Sequence, residues 1–182
     1  MKQKNNFLTF ALRVSVIQFL SYFFIGFLTF TLKIHSLGYY EQHPIEIVTV
    51  FFKHSDSLIV MAGPLFQFIR GLLFAGALYP IFHVFIEKKN DWLKLWLVIM
   101  VFAVFGPAGA APGSIEGVIY TKLPPLFHLL YLPELVLQTA LFSFLIQRWE
   151  MRDFNNKIKI ILYILTGLIT LMLTLGLFQT TG

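Results

Sequence analysis

Five stretches of this chain, each 20 residues or longer, pass with almost no charged side chain: residues 11–32, 58–86, 92–111, 124–147 and 158–178. A soluble domain needs polar side chains at shorter intervals to cover its surface. A run of about 20 apolar residues, at 1.5 Å rise each, matches the hydrocarbon thickness of a bilayer. The pattern therefore predicts an all-α fold: a polytopic membrane bundle of five transmembrane helices, a single domain over residues 1–182, with external loops at 33–57 and 112–123. Composition agrees, with 57% hydrophobic and 13% charged residues, 21 Phe and a mean hydropathy of +0.75. Average soluble domains carry about 25% charge, and intrinsic disorder has the opposite bias.

The charges that remain are distributed as topology signals. Lys2, Lys4, Arg13, Lys88, Lys89, Lys94, Arg148, Arg152, Lys157 and Lys159 fall on one side of the five spans, and only Lys33, Lys53 and Lys122 on the other. Cytoplasmic connections carry the excess of Lys and Arg, so the N-terminus is expected in the cytoplasm and the C-terminus outside, in a bacterial-type cytoplasmic (inner) membrane. Met1-Lys2-Gln3-Lys4 resembles a signal-peptide n-region, but the apolar run after it is too long for an h-region and no A-x-A site follows, which reads as an uncleaved anchor. Trp92, Trp96 and Trp149 are expected as interfacial rings at the inner boundary, and Tyr39, Tyr40 and Tyr120 at the outer one. The net charge of +5 thus reports orientation, and no soluble region is left to hold a nucleic-acid recognition module. Without cysteine, disulfides, thiolate nucleophiles and thiolate-bound metals are excluded.

Three features interrupt the simple picture. Gly63-Pro64 divides the second stretch, since proline cannot donate a helical hydrogen bond, so residues 58–64 form either its beginning or a separate re-entrant element. Residues 45–52 are too apolar for a solvated loop and too short to span, and read as an interfacial segment. Residues 106–117 combine small side chains with helix breakers and should turn tightly against neighbouring helices, because irregular backbone at membrane depth needs protein or a wet cavity around it. There is no internal repeat of the kind many transporters show.

Function is sought in the polar groups that a membrane tolerates poorly. Arg70 lies in the second stretch, and His128 and Glu134 in the fourth; ionisable residues at such positions mark functional sites by default. Counting from Leu58 and from Pro124 puts Arg70 and Glu134 about 15–18 Å deep, which makes them natural partners. Gly63, Gln67, Arg70 and Gly71 share one helical side, as do His128, Tyr131, Glu134 and Gln138, and the two stripes are expected to face each other. Pro133 should free a carbonyl near Leu129 toward the same interior. Glu116, in the external connection, is expected beside His128.

The leading expectation is an externally open polar cavity. Arg70, Gln67, Tyr131 and Gln138 would bind an anionic or amphiphilic ligand such as a lipid or isoprenoid phosphate, with Glu134, His128 and Glu116 as candidate catalytic groups. The alternatives are a small transporter or proton-coupled subunit working as an oligomer, and a structural or assembly subunit in which Arg70 and Glu134 form a packing ion pair. Expected partners are membrane lipids and a homo-oligomer or membrane partner subunit, with no nucleic acid. The sequence assigns no cofactor and no metal, and leaves open whether the protein is an enzyme. His43 with Glu46 and His54 with Asp56 have ligand-compatible spacings that are common on loops. His35 and His83 read as boundary residues, and the Thr166, Thr170, Thr174 stripe with Gly167 and Gly176 as a helix-packing face. Phosphate loops, dinucleotide fingerprints, G-x-S-x-G and H-E-x-x-H are all absent.

Overall fold

Residues 7–31 contain no proline and no charge beyond Arg13, and they form one uninterrupted helix, α1 (Phe7–Thr31). The structure is a computed structural model, and it describes residues 6–32, 53, 57–105, 111–152 and 154–181. A short helix α2 (Leu58–Met61) follows and gives way at Gly63–Leu65 to a 3-10 turn containing Pro64. Helix α3 (Phe66–Leu78) keeps helical backbone through Tyr79 and stops at Pro80, which has no N–H to continue the ladder. A second 3-10 turn (Phe82–Phe85) leads to α4 (Trp92–Phe105), a short α5 (Ile115–Tyr120), α6 (Pro125–Arg152), which opens on a proline whose missing N–H is no loss there, and α7 (Asn156–Thr181). The described residues are helical or irregular, with no strand.

The main helices alternate in direction. The start of α1 meets the end of α3, where Phe7 and Tyr79 rings lie 5.2 Å apart and Phe10 and Phe82 4.9 Å apart. The start of α4 meets the end of α6 through Trp92 and Phe144, 5.6 Å apart. The end of α6 meets the start of α7 through Trp149 and Tyr163, 5.9 Å apart. One end of the bundle therefore gathers Lys88, Lys89, Lys94, Arg148, Arg152, Lys157 and Lys159.

α1 is the central mast. Phe10, Ala11, Val14, Val16, Ile17, Phe19 and Leu20 are buried on all its sides, against α3, α6 and α7. α7 is peripheral, and most of its apolar side chains face outward, among them Ile161, Ile164, Leu168, Leu171, Met172 and Phe178. Such a girdle of exposed aliphatic and aromatic side chains would be untenable in water.

Three helices are long and apolar enough to cross a membrane: Phe7–Thr29, Pro125–Arg152 and Asn156–Phe178. The other two apolar rods, Gly63–Leu78 and Trp92–Val104, measure about 24 and 20 Å at 1.5 Å per residue, short of the roughly 30 Å hydrocarbon core. The expected 58–86 span is thus broken into four pieces, because Pro64 and Pro80 each end a helix where hydropathy alone sees an unbroken run. The expected 92–111 span is helical only to Phe105, and residues 106–110 lie outside the described residues. So do the 33–52 loop with its interfacial segment, Lys2, Lys4, Lys33, His35, Tyr39, Tyr40, His43, Glu46, His54 and Asp56.

Two boundary readings change. Arg13 is not a free topology charge: its Nη1 lies 2.9 Å from Glu150 Oε1, with the two side chains only 11% and 6% exposed, and its guanidinium sits 5.6 Å above the Trp149 ring. Trp149 is accordingly a fully buried core residue rather than an interfacial ring. The threonine stripe on α7 packs inward in part: Thr166 is buried beside the core residue Ile169, while Thr170 and Thr174 are half-exposed. Thr166, Thr170 and Thr174 donate to their own helix's carbonyls at 2.8–3.0 Å, and a Cβ on Gly167 or Gly176 would meet nothing within 4 Å.

Candidate functional site

The polar groups inside the bundle are organised by α1. Ser15, Gln18, Tyr22 and Thr29 recur at heptad spacing and so share one face of the helix. Each rung reaches a neighbour. The Ser15 hydroxyl donates to the Phe68 carbonyl of α3 at 3.4 Å, and Gln18 Nε2 donates to Gln67 Oε1 at 3.0 Å, both amides being buried. Thr29 Oγ1, which donates to Gly26 of its own helix, lies 3.4 Å from Glu134 Oε2 on α6. Ser15 also faces Gly71, and a Cβ added there would collide with the Ser15 backbone, so only glycine permits α1 and α3 to approach this closely.

α3 divides its polar residues between two faces. Gln67, Gly71, Ala75 and Leu78 are buried against α1. Arg70 stands at the edge of the opposite face, exposed among exposed Phe66, Ile69 and Leu73, with its guanidinium 5.4 Å above the Phe74 ring. Tyr22 of α1 is half-buried beside it, within electrostatic reach of both the Arg70 guanidinium and the Glu134 carboxylate.

Arg70 and Glu134 are not an ion pair. The described residues place no carboxylate within salt-bridge distance of Arg70, and the two groups stand at different levels. Glu134 abuts Thr29, near the outer end of α1, whereas Arg70 follows the level of Gly71 and hence of Ser15. Those α1 positions are separated by 14 residues, or about 21 Å of helix. The equal depths expected from counting fail because the two stretches do not start level: Glu134, nine residues into α6, lies beside Thr29 near the end of α1, and residues 58–65 do not continue as one helix into α3. Side-chain lean narrows the gap. On antiparallel helices Arg70 leans outward and Tyr22 inward, each toward its own helix's N-terminus, which brings phenol and guanidinium together.

His128 is occupied. It is 3% exposed, and its Nδ1 lies 3.2 Å from the Gly113 N–H that donates to it. The ring proton is therefore on Nε2, which faces Thr121 Oγ1 at 3.4 Å, and that hydroxyl donates in turn to the Gly117 carbonyl at 2.7 Å. A Cβ on Gly117 would clash with the Ala111 carbonyl and approach His128 Cε1 to 2.9 Å. Ser114 caps α5 by accepting from Gly117 N–H at 2.9 Å. The histidine thus pins the 111–123 connection to α6, with both ring nitrogens engaged in hydrogen bonds. Glu116 sits half-exposed in the first turn of α5 beside this clamp, and Tyr131 packs its ring 5.0 Å from Phe127 under the same connection.

Gln138 is buried on α6, one turn inward of Glu134. Pro133 and Leu129 both lie on the exposed face of α6, so the freed carbonyl opens beside surface side chains and not into the interior. The expected residues therefore separate into two sets: Arg70 and Glu134, which do not touch but both act on Tyr22, with Gln67 on Gln18 and Thr29 on Glu134, and His128, Glu116 and Tyr131 around the 111–123 connection. Tyr22, Gln18, Ser15 and Thr29 were not anticipated. Their signal was the heptad spacing of uncharged polar residues, which a search restricted to charges overlooks. Among the described residues no three His, Asp or Glu side chains converge as metal ligands. No family model matches the chain, and neither a curated protein nor a solved structure does.

Proposed function

We propose that the chain crosses a bacterial-type cytoplasmic membrane five times, with its N-terminus inside, and that the bundle binds the anionic head of an amphiphile, such as a lipid or isoprenoid phosphate, at Arg70. The alternation of helix directions and the Lys and Arg gathered at one end support the topology. The short α3 and α4 rods cross by drawing the bilayer thinner around them, which costs fractions of a kcal/mol per Å.

The observation that carries the binding role is the position of Arg70: a cation partway along an apolar face with no carboxylate of the described residues against it. A lone arginine at a helix centre costs roughly 2.5–3.5 kcal/mol on insertion scales, a burden that an anionic headgroup removes. Arg70 starts about 10 Å from the Gly63 end of its helix and leans toward that end, so its guanidinium opens toward the break at Gly63-Pro64. Guanidinium binds phosphate through paired, charge-assisted hydrogen bonds. Tyr22 supplies a hydroxyl beside it, and the Gln18–Gln67 bridge holds the α1–α3 contact rigid beneath. Native mass spectrometry of the protein extracted in mild detergent tests this: Arg70→Gln should carry one bound phosphate-bearing amphiphile fewer than the wild type. An unchanged number of bound amphiphiles in Arg70→Gln would falsify the assignment.

A further inference from the structure

The opposite end of the bundle carries a second charged feature. The described residues place eight Lys and Arg there (Arg13, Lys88, Lys89, Lys94, Arg148, Arg152, Lys157, Lys159) against three acids (Glu87, Asp91, Glu150). Two of the acids are already consumed: Glu150 by Arg13 at 2.9 Å, and Asp91 by Lys94 at 2.8 Å. What remains is a strongly basic rim with Glu87 as its one other described acid.

The rim is built and not merely scattered. The turn between α3 and α4 is fastened to α6, because Gln147, fully buried, donates from Nε2 to the Lys88 carbonyl at 2.9 Å. The same turn is closed internally by Asp91 Oδ2, which accepts from Lys88 N–H at 2.7 Å. Lys88 and Lys89 are thus held next to the last turns of α6, which carry Arg148 and Arg152. Arg148 does not extend freely: its guanidinium stacks 5.3 Å above the Phe144 ring, and Trp92 packs edge-on to the same ring at 5.6 Å. Stacking leaves the in-plane N–H donors of Arg148 directed outward, beside an interfacial indole and the exposed aliphatic side chains of Leu93 and Leu97.

We infer that this groove, between the start of α4 and the end of α6, binds the phosphate headgroup of an anionic phospholipid. Arg148 would hold the phosphate, Lys88 and Lys89 would supply the surrounding field, and Trp92, Leu93 and Leu97 would lie along the acyl chains. Basic pockets between helices at the cytoplasmic boundary are suited to such headgroups. The site needs the bundle to lie in a bilayer but is independent of Arg70, which stands about two-thirds of the way along α3 from this end.

The test is competitive lipid binding to the purified full chain in detergent micelles doped with phosphatidylglycerol or with phosphatidylcholine, read by native mass spectrometry. A preference of at least tenfold for the anionic lipid is expected, weakening with salt. Each neutralised basic residue near the surface should remove about fivefold, so the triple variant Lys88→Gln, Lys89→Gln, Arg148→Gln should bind the two lipids alike, while Arg70→Gln keeps the preference. Equal binding of both lipids by the wild type overturns the assignment, as does an unchanged preference in the triple variant. Displacement of the lipid by millimolar inorganic phosphate would show a free-anion site instead. Circular dichroism of the triple variant, whose three positions are exposed or half-exposed, separates loss of the site from loss of fold.

Discussion

Arg13 and Arg70 occupy the two sides of the same question. Arg13 lies in α1, is almost wholly buried, and is closed off by Glu150 at 2.9 Å and the Trp149 ring at 5.6 Å. Arg70 lies in α3, is exposed on an apolar face, and has an aromatic ring and a phenol beside it but no carboxylate in contact. The first is a charge the fold has satisfied within itself. The second is a charge whose complement the described chain does not bring into contact, and the difference separates a structural arginine from a binding one.

If that contrast is right, the largest loss of stability comes from the closed pair. Arg13→Ala or Glu150→Ala alone should cost about 3–5 kcal/mol, because each leaves a buried charge without its partner; unfolding in mixed micelles by denaturant measures it. Next is the contact that lets α1 and α3 approach. Gly71→Leu should cost about 1–3 kcal/mol by forcing apart the helices that meet at Ser15. Gly167→Ala, with open space around it, should be neutral or stabilising by up to about 1 kcal/mol through helix propensity. Parallel melting curves distinguish the two.

The outer connection gives a smaller and more local effect. His128→Leu should cost about 1–3 kcal/mol by leaving the Gly113 N–H without its acceptor, and proteolysis should then cut first within residues 111–123. The smallest effect is acidic. Asp91 has its carboxyl held below the usual value of 3.8, chiefly by the hydrogen bond from Lys94 and then by that from the Lys88 N–H. Its contribution is therefore present above that value and disappears only as pH falls through the lowered one. An Asp91→Asn variant should lose this part of the acid dependence of melting.

The all-helical class was legible in the sequence, and α1, α6 and α7 match three of the five apolar stretches to within about five residues at either end. Residues 58–86 and 92–111 were harder to read because hydropathy is blind to where a backbone breaks: Pro64 and Pro80 decide α3, and both are apolar. Arg70 and Glu134 could be singled out but not placed. Depth counted from the end of an apolar run assumes that the runs start level and continue as single helices, whereas Gly63-Pro64 breaks the one and Glu134 of the other lies beside Thr29 near the end of α1. Arg13 was misread for the converse reason, since its partner Glu150 lies 137 residues away and no local pattern announces it. The His128 clamp depends on backbone N–H geometry in residues 111–123, which residue types do not encode individually.

The contrast between the two arginines is tested most directly by melting Arg70→Gln and Glu150→Gln, each with and without a long-chain alkyl phosphate, in the Lys88→Gln, Lys89→Gln, Arg148→Gln background, so that the basic rim does not respond to the amphiphile. Arg70→Gln should melt within a degree or two of this parent in bare detergent and gain nothing from the alkyl phosphate, whereas Glu150→Gln should melt much lower yet still be stabilised by it. An Arg70→Gln protein that unfolds as readily as Glu150→Gln, or that responds to the amphiphile as the parent does, would contradict the contrast.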